Sequence, residues 1–295
     1  MSGAHCPRAA AVLKLMRPKQ WIKNLFVFGP LVFSLHLFHP PSLLRTALCF
    51  AAFSLTASGL YAINDVADAD QDRLHPVKRR RPVAAGLVSP AAAVTLGILL
   101  LLAGMGSGAL LGRGVVAVLA GYVGLNLFYS FRGKHLPIVD IMTIAVDFVL
   151  RVLAGALAIG VAASAWLIVA TFFLATLIAI AKRYNEMKVL EGDPAAHRQV
   201  LDFYTPTLLS QLLSISAGAT IVFYALYTLD EKVVATFGTA DLIYTLPFVV
   251  YGVFHYLYLV YRREEGGDPT ELVARDLPML VDLALWALAV VLIIY

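Results

Sequence analysis

Asn64, Asp65, Asp68 and Asp72 bring one carboxamide and three carboxylates into a stretch of nine residues. If that stretch is helical, Asn64, Asp68 and Asp72 recur every fourth residue on one face, with Asp65 at its edge and Asp70 turned away. Carboxylates stacked in this way repel one another unless a cation sits among them. Hard oxygen ligands suit Mg2+, which takes one or two carboxylates and completes its shell with substrate phosphates. A solvated acidic helix end is the bland alternative, and a helix C-terminus disfavours it because negative charge is unfavourable there. Immediately downstream the chain reads His75-Pro76-Val77-Lys78-Arg79-Arg80-Arg81-Pro82. Alone, such a run marks membrane topology. Beside an acidic ladder it is what a metal–diphosphate site uses, the acids holding the metal while Lys78 and Arg81 take the remaining phosphate oxygens.

Three further groups could take part. Asp140, Asp147 and Arg151 are spaced by seven and four residues, which puts them on one helical stripe within an apolar run. Charge inside a membrane is costly and faces a bundle interior or a wet cavity. Asp147 and Arg151 read either as a structural ion pair or as part of a site, whereas Asp140 is a metal or substrate candidate. Tyr129 and Lys134 precede this run. After it comes Lys182-Arg183-Tyr184-Asn185-Glu186, where Lys182 and Glu186 are one turn apart and also read as a plain surface pair.

The elements that must position these residues are membrane helices. Of the 295 residues, 60% are hydrophobic and 14% charged, against roughly 25% charged in soluble chains. Apolar runs long enough to span a bilayer fall near 22–38, 43–64, 88–111, 114–131, 136–160, 163–182, 206–229, 240–261 and 277–295. The expected architecture is therefore an all-α polytopic membrane protein of about nine transmembrane helices, a single embedded catalytic domain over 1–295. The basic residues Lys14, Arg17, Lys19 and Lys23 interrupt the start too densely for a cleavable signal peptide. Nineteen of the 23 Lys and Arg residues fall on alternate connections, and only Arg45, Arg113 and Lys232 fall on the opposite side. By the positive-inside rule the N-terminus is cytoplasmic and the C-terminus outside, in a plasma (inner) membrane. The basic balance thus reflects topology and attraction to anionic membrane lipids, and nucleic acid is not expected as a partner. Cys6 and Cys49 read as unrelated thiols, and glycine-rich Ala103–Gly108 as a place where helices approach closely. All the polar complexity gathers on the cytoplasmic rim, so the site is expected there. A transporter using the intramembrane charges is a reading from another class, and the plain outer connections offer it no matching exit.

On these residues the chain resembles the UbiA-type prenyltransferase superfamily, membrane enzymes that bind a diphosphate through Mg2+. The family motif N-D-x-x-D-x-x-x-D is matched in full by Asn64, Asp65, Asp68 and Asp72. The tyrosine–lysine motif is altered: Tyr129 to Lys134 is one residue longer than Y-x-x-x-K. The second acidic motif, D-x-x-x-D, is replaced by Lys182 through Glu186, a cation standing for the first acid. That departure resembles the decaprenyl-phosphate phosphoribosyltransferase branch, as do Arg17 through Asn24, Lys78 through Gly86, and Gly266 through Asp276. The resemblance implies transfer of 5-phosphoribose from phosphoribosyl pyrophosphate to a polyprenyl phosphate, for lipid-linked sugar precursors of the cell envelope. It implies Mg2+ on Asn64, Asp65, Asp68 and Asp72, catalytic roles for Asp68, Asp72, Asp140 and Glu186, and substrate contacts from Arg17, Lys23, Lys78, Arg81, Tyr129, Lys134, Arg151 and Lys182. Isoprenoid transfer by the same fold is the rival activity, and a homo-oligomer is compatible with the pattern.

Overall fold

Proline and short polar residues punctuate the helices. Pro40, Pro90 and Pro206 open three of them, where a missing N–H costs nothing because the first turn has no acceptor for it. Ser89, Thr205 and Asp276 cap the helices that follow, each side-chain oxygen accepting a backbone N–H three residues on. In this computed structural model residues 8–74, 78–190, 199–262, 273 and 275–295 are described, and among them no strand occurs. Cys6, His75 and most of 266–274 lie outside the described residues.

The helices are α1 (Arg8–Met16), α2 (Gly29–Phe33), α3 (Pro40–Ala67), α4 (Ala69–Leu74), α5 (Pro90–Ala109), α6 (Arg113–Phe131), α7 (Val139–Ile159), α8 (Ala165–Leu190), α9 (Pro206–Leu229), α10 (Glu231–Phe237), α11 (Leu246–Arg262) and α12 (Leu277–Ile294). Among the described residues eight helices are long and apolar enough to cross a bilayer: α3, α5, α6, α7, α8, α9, α11 with its preceding turn, and α12. The run expected near 22–38 is built differently. It is a 3-10 helix, Pro18–Phe28, running into the short α2. Lys19, Gln20, Lys23 and Asn24 give this segment a polar content that a lipid-exposed span would not carry, and Asn24 is buried against protein.

The described chain divides into two units. The first comprises 1–31, 39–131 and 150–161; the second comprises 32–38, 132–149 and 162–295. In the first, α3 packs along α5 through small residues. A Cβ on Gly104 would sit 2.8 Å from the Ala52 carbonyl oxygen and 2.9 Å from the Thr56 backbone nitrogen, closer than real carbon atoms approach. Gly104→Ala is therefore expected to destabilise the unit by about 1–3 kcal/mol, the usual cost of overpacking. A thermal unfolding scan in detergent reads it, and an unchanged midpoint would refute the close-packing role. Arg45 holds this unit together elsewhere: its Nε and Nη2 donate to the carbonyls of Ala158 and Leu111, at 2.6 and 3.0 Å. The second unit is centred on a core of Ile141, Leu177, Ile180, Leu209, Leu213 and Val260, drawn from α7, α8, α9 and α11.

Candidate active site

The first unit carries the acidic ladder. Helix α3 ends at Ala67 and α4 begins at Ala69, yet the backbone bonds Asp68 N–H to Asn64 and Asp72 N–H to Asp68, both 2.9 Å, run across the junction. The four-residue spacing therefore keeps its helical meaning through the break. Asn64 and Asp68 are half-buried, whereas Asp65 and Asp72 are buried. Asp70 is exposed and paired with Arg73, as its outward position requires.

Arginines occupy two of the carboxylates. Arg17 pairs with Asp65, and Arg81 pairs with Asp72 at 2.6 Å and lies 3.6 Å from Asp65. The side chain of Asp65 is 1% exposed, so these guanidinium groups supply compensation that water cannot. Its second oxygen, Oδ2, is buried without a hydrogen-bond partner. Asn64 Oδ1 accepts from the Ser130 hydroxyl at 3.2 Å. Among the described residues no three carboxylate, imidazole or thiol groups converge as a preformed metal cluster. The donor set nevertheless fits Mg2+: all the groups are hard oxygens, and one buried carboxylate oxygen lacks any partner.

A face of α3 explains how Arg17 reaches the ladder. Ser54, Ser58, Tyr61 and Asp65 recur at helical spacing, and each holds part of the 14–28 segment. Asn24 donates to Ser54 at 3.0 Å, Trp21 Nε1 to Ser58 at 3.0 Å, and the Ser58 hydroxyl to the Met16 carbonyl at 2.8 Å. The Arg17 guanidinium lies 4.9 Å over the Tyr61 ring. From the other side Arg151 Nε donates to Asn24 Oδ1 at 2.8 Å, and its guanidinium stacks 4.9 Å over Tyr122. Arg151, one of the expected substrate contacts, is thus 2% exposed and engaged in holding the segment that bears Arg17 and Lys23. Lys23, Arg81 and Tyr129 are half-buried and Lys78 is exposed.

The second unit holds a separate cluster. Arg183, which the sequence suggested only as a topology marker, is fully buried. Its Nε donates to Asp140 Oδ2 and its Nη1 to Glu186 Oε2, both at 2.5 Å. Asp140, expected to touch metal or substrate, is 0% exposed with Oδ1 taken by the Tyr204 hydroxyl at 2.7 Å. Glu186 keeps partial exposure, 31% of its side chain. Lys134 and Lys182 are half-buried. Tyr204 had no sequence signal, because its partner Asp140 lies 64 positions away and no motif spans that distance.

Burial first, and then the bond to Asp140, hold the Tyr204 phenol well above its ordinary value of 10.0. The group remains a neutral donor. A raised value means that the stability it contributes is complete below the unfolded value and is lost only as pH rises through the higher folded one. The difference in melting temperature between the native chain and Tyr204→Phe is thus expected to stay flat between about pH 6 and pH 9. A difference that shrank across that window would contradict a neutral phenol.

The family model of the UbiA prenyltransferase family matches residues 25–275. The chain belongs to the UbiA prenyltransferase family. It is 33% identical over 292 residues to the decaprenyl-phosphate phosphoribosyltransferase of Corynebacterium glutamicum, covering 97% of this chain and 87% of that one. With the enzyme of the same name from Mycobacterium tuberculosis it shares 30% identity over 271 residues, 90% of this chain and 88% of that one. Among solved structures, a UbiA homolog from Archaeoglobus fulgidus bound to GPP and Mg2+ superposes with a TM-score of 0.74 at 21% identity, covering 95% of this chain and 99% of that chain. At that identity the likeness speaks for the fold. The protein is an integral membrane member of the UbiA family, and the expected all-α polytopic architecture holds, with eight long apolar helices among the described residues.

Proposed function

We propose that this chain transfers 5-phosphoribose from phosphoribosyl pyrophosphate to a polyprenyl phosphate and releases pyrophosphate, at the cytoplasmic face of the plasma membrane. The observation that carries this reading is the pair of arginines at the acidic ladder, Arg17 on Asp65 and Arg81 on Asp72, each with 27% of its side chain exposed. Fixed cations suit a heavy phosphate load. The donor brings about five negative charges and the acceptor about two, taking second phosphate ionisations near 6. The names and extents of the two curated relatives point the same way.

Asn64, Asp68 and Asp72 are the residues that would hold Mg2+, with the unpartnered Asp65 oxygen adjoining them in the motif. The ion would neutralise charge on the departing pyrophosphate. Lys23, Lys78, Arg81, Lys134 and Lys182 are assigned to the phosphate groups of donor and acceptor. Arg17 is held by Asp65 and is available at its exposed edge, 27% of its side chain. Glu186, held by Arg183 and partly exposed, is assigned to ribose hydroxyls. The acceptor phosphate oxygen forms the new bond to ribose C1 as the C1–pyrophosphate bond breaks, with inversion. That oxygen is already anionic, so no strong general base is needed and positioning with fixed charge carries most of the acceleration.

The deciding experiment supplies purified protein with Mg2+, labelled phosphoribosyl pyrophosphate and decaprenyl phosphate. Label should enter the lipid phase and disappear with a chelator. No labelled lipid, but turnover of a prenyl diphosphate with an aromatic acceptor, would replace the proposal with isoprenoid transfer.

A further inference from the structure

Ile138 has a φ of 66°, in the left-handed region. A β-branched residue is strained there, because its Cβ crowds the following carbonyl. The residue is 42% exposed, so packing does not account for the conformation. Hydrogen bonds do. The Ile138 N–H donates to the Tyr204 hydroxyl oxygen at 2.6 Å, the same hydroxyl donates to Asp140 Oδ1 at 2.7 Å, and Asp140 Oδ2 is closed by Arg183 at 2.5 Å. The relay therefore ends on a fully buried guanidinium that cannot shift without breaking an ion pair.

The strained residue sits at a junction. Its carbonyl accepts two bonds from the first turn of α7, from the N–H groups of Ile141 and Met142 at 3.0 and 2.9 Å, so its conformation bears on how the chain enters that helix. Just upstream, the 3-10 turn Gly133–His135 presents Lys134 and packs against the turn Gln199–Phe203 that leads to Tyr204.

We propose that Tyr204 is a positioning residue: through Ile138 it locks the turn that aims Lys134 at a substrate phosphate, and the buried Asp140–Arg183 pair anchors it. This rests on the phosphate role given to Lys134 above. Asp140 then acts through Tyr204 and touches no substrate itself. The high affinity of the phenol for its proton keeps the relay intact at neutral pH.

The test is a double-mutant cycle on the full chain with Tyr204→Phe, Ile138→Gly and the pair, reading KM for phosphoribosyl pyrophosphate and kcat at saturating polyprenyl phosphate. Tyr204→Phe alone should raise KM by about tenfold, the weight of one strained left-handed residue, with kcat within about threefold. With glycine at 138 the left-handed conformation is free of strain, so adding Tyr204→Phe should raise KM by less than about threefold. Equal effects of Tyr204→Phe in both backgrounds, or a change in melting temperature with no change in KM, would overturn the proposal. So would a Tyr204→Phe chain that cannot be recovered folded and that Ile138→Gly does not rescue. If the native chain turns over a prenyl diphosphate instead, the phosphoribosyl reading fails on its own. The same coupling is then read on KM for that diphosphate, and the relay stands or falls by it.

Discussion

Asp68→Ala should lower transfer by at least about 10³-fold, because it removes a ligand from the centre of the proposed Mg2+ site, where charge on the leaving pyrophosphate develops. The position isolates this effect well. Asp68 is half-buried at the C-terminal end of α3, and the helix bonds that cross it are made by its backbone, at 2.9 Å on either side. Alanine keeps those bonds and favours the helix, so the chain should still fold. Asp72→Ala is a poorer probe, since it also strips Arg81 of its 2.6 Å partner. Mn2+ binding followed by its electron spin resonance, without turnover, gives a second readout and should weaken in parallel. Activity within tenfold of the native chain, with Mn2+ bound as before, would remove Asp68 from the metal site.

Replacement of Arg183 by Met should destabilise the second unit by about 3–5 kcal/mol, the cost of leaving a buried charge without its partner. Asp140 and Arg183 are each 0% exposed, so solvent cannot substitute for the missing guanidinium. Glu186 loses a partner as well, but its 31% exposure lets water compensate much of that. A buried ion pair is costly mainly when halved, so Arg183→Met combined with Asp140→Leu should recover most of the stability. Thermal unfolding of the native chain and these variants at one scan rate checks both statements. A single variant as stable as the native chain, or a double variant no better than the single, would mean that the pair is not the anchor described.

The eight spans and the acidic ladder were legible in the residues themselves, because both depend on local rules. Hydropathy over some twenty residues dictates a membrane helix, and a spacing of four dictates a shared face. That spacing survived even the break between α3 and α4, since the backbone bonds continue across it. The segment near 22–38 departed from expectation because its buried polar residues are satisfied by α3 and by Arg151, contacts that no window over the segment contains. The same limit hid the roles of the charges. Lys182 and Glu186 read as a one-turn pair, and the structure adds a bond to Glu186 from Arg183, a residue that a count of cations had assigned to topology. Arg17 meets Asp65 across 48 positions, and Tyr204 meets Asp140 across 64. Which cation compensates which buried acid is decided by the packing of helices distant in sequence, where desolvation makes the pairing obligatory. Chain order alone therefore determined the kind of protein and the kind of site, and tertiary structure determined which arginine meets which buried acid.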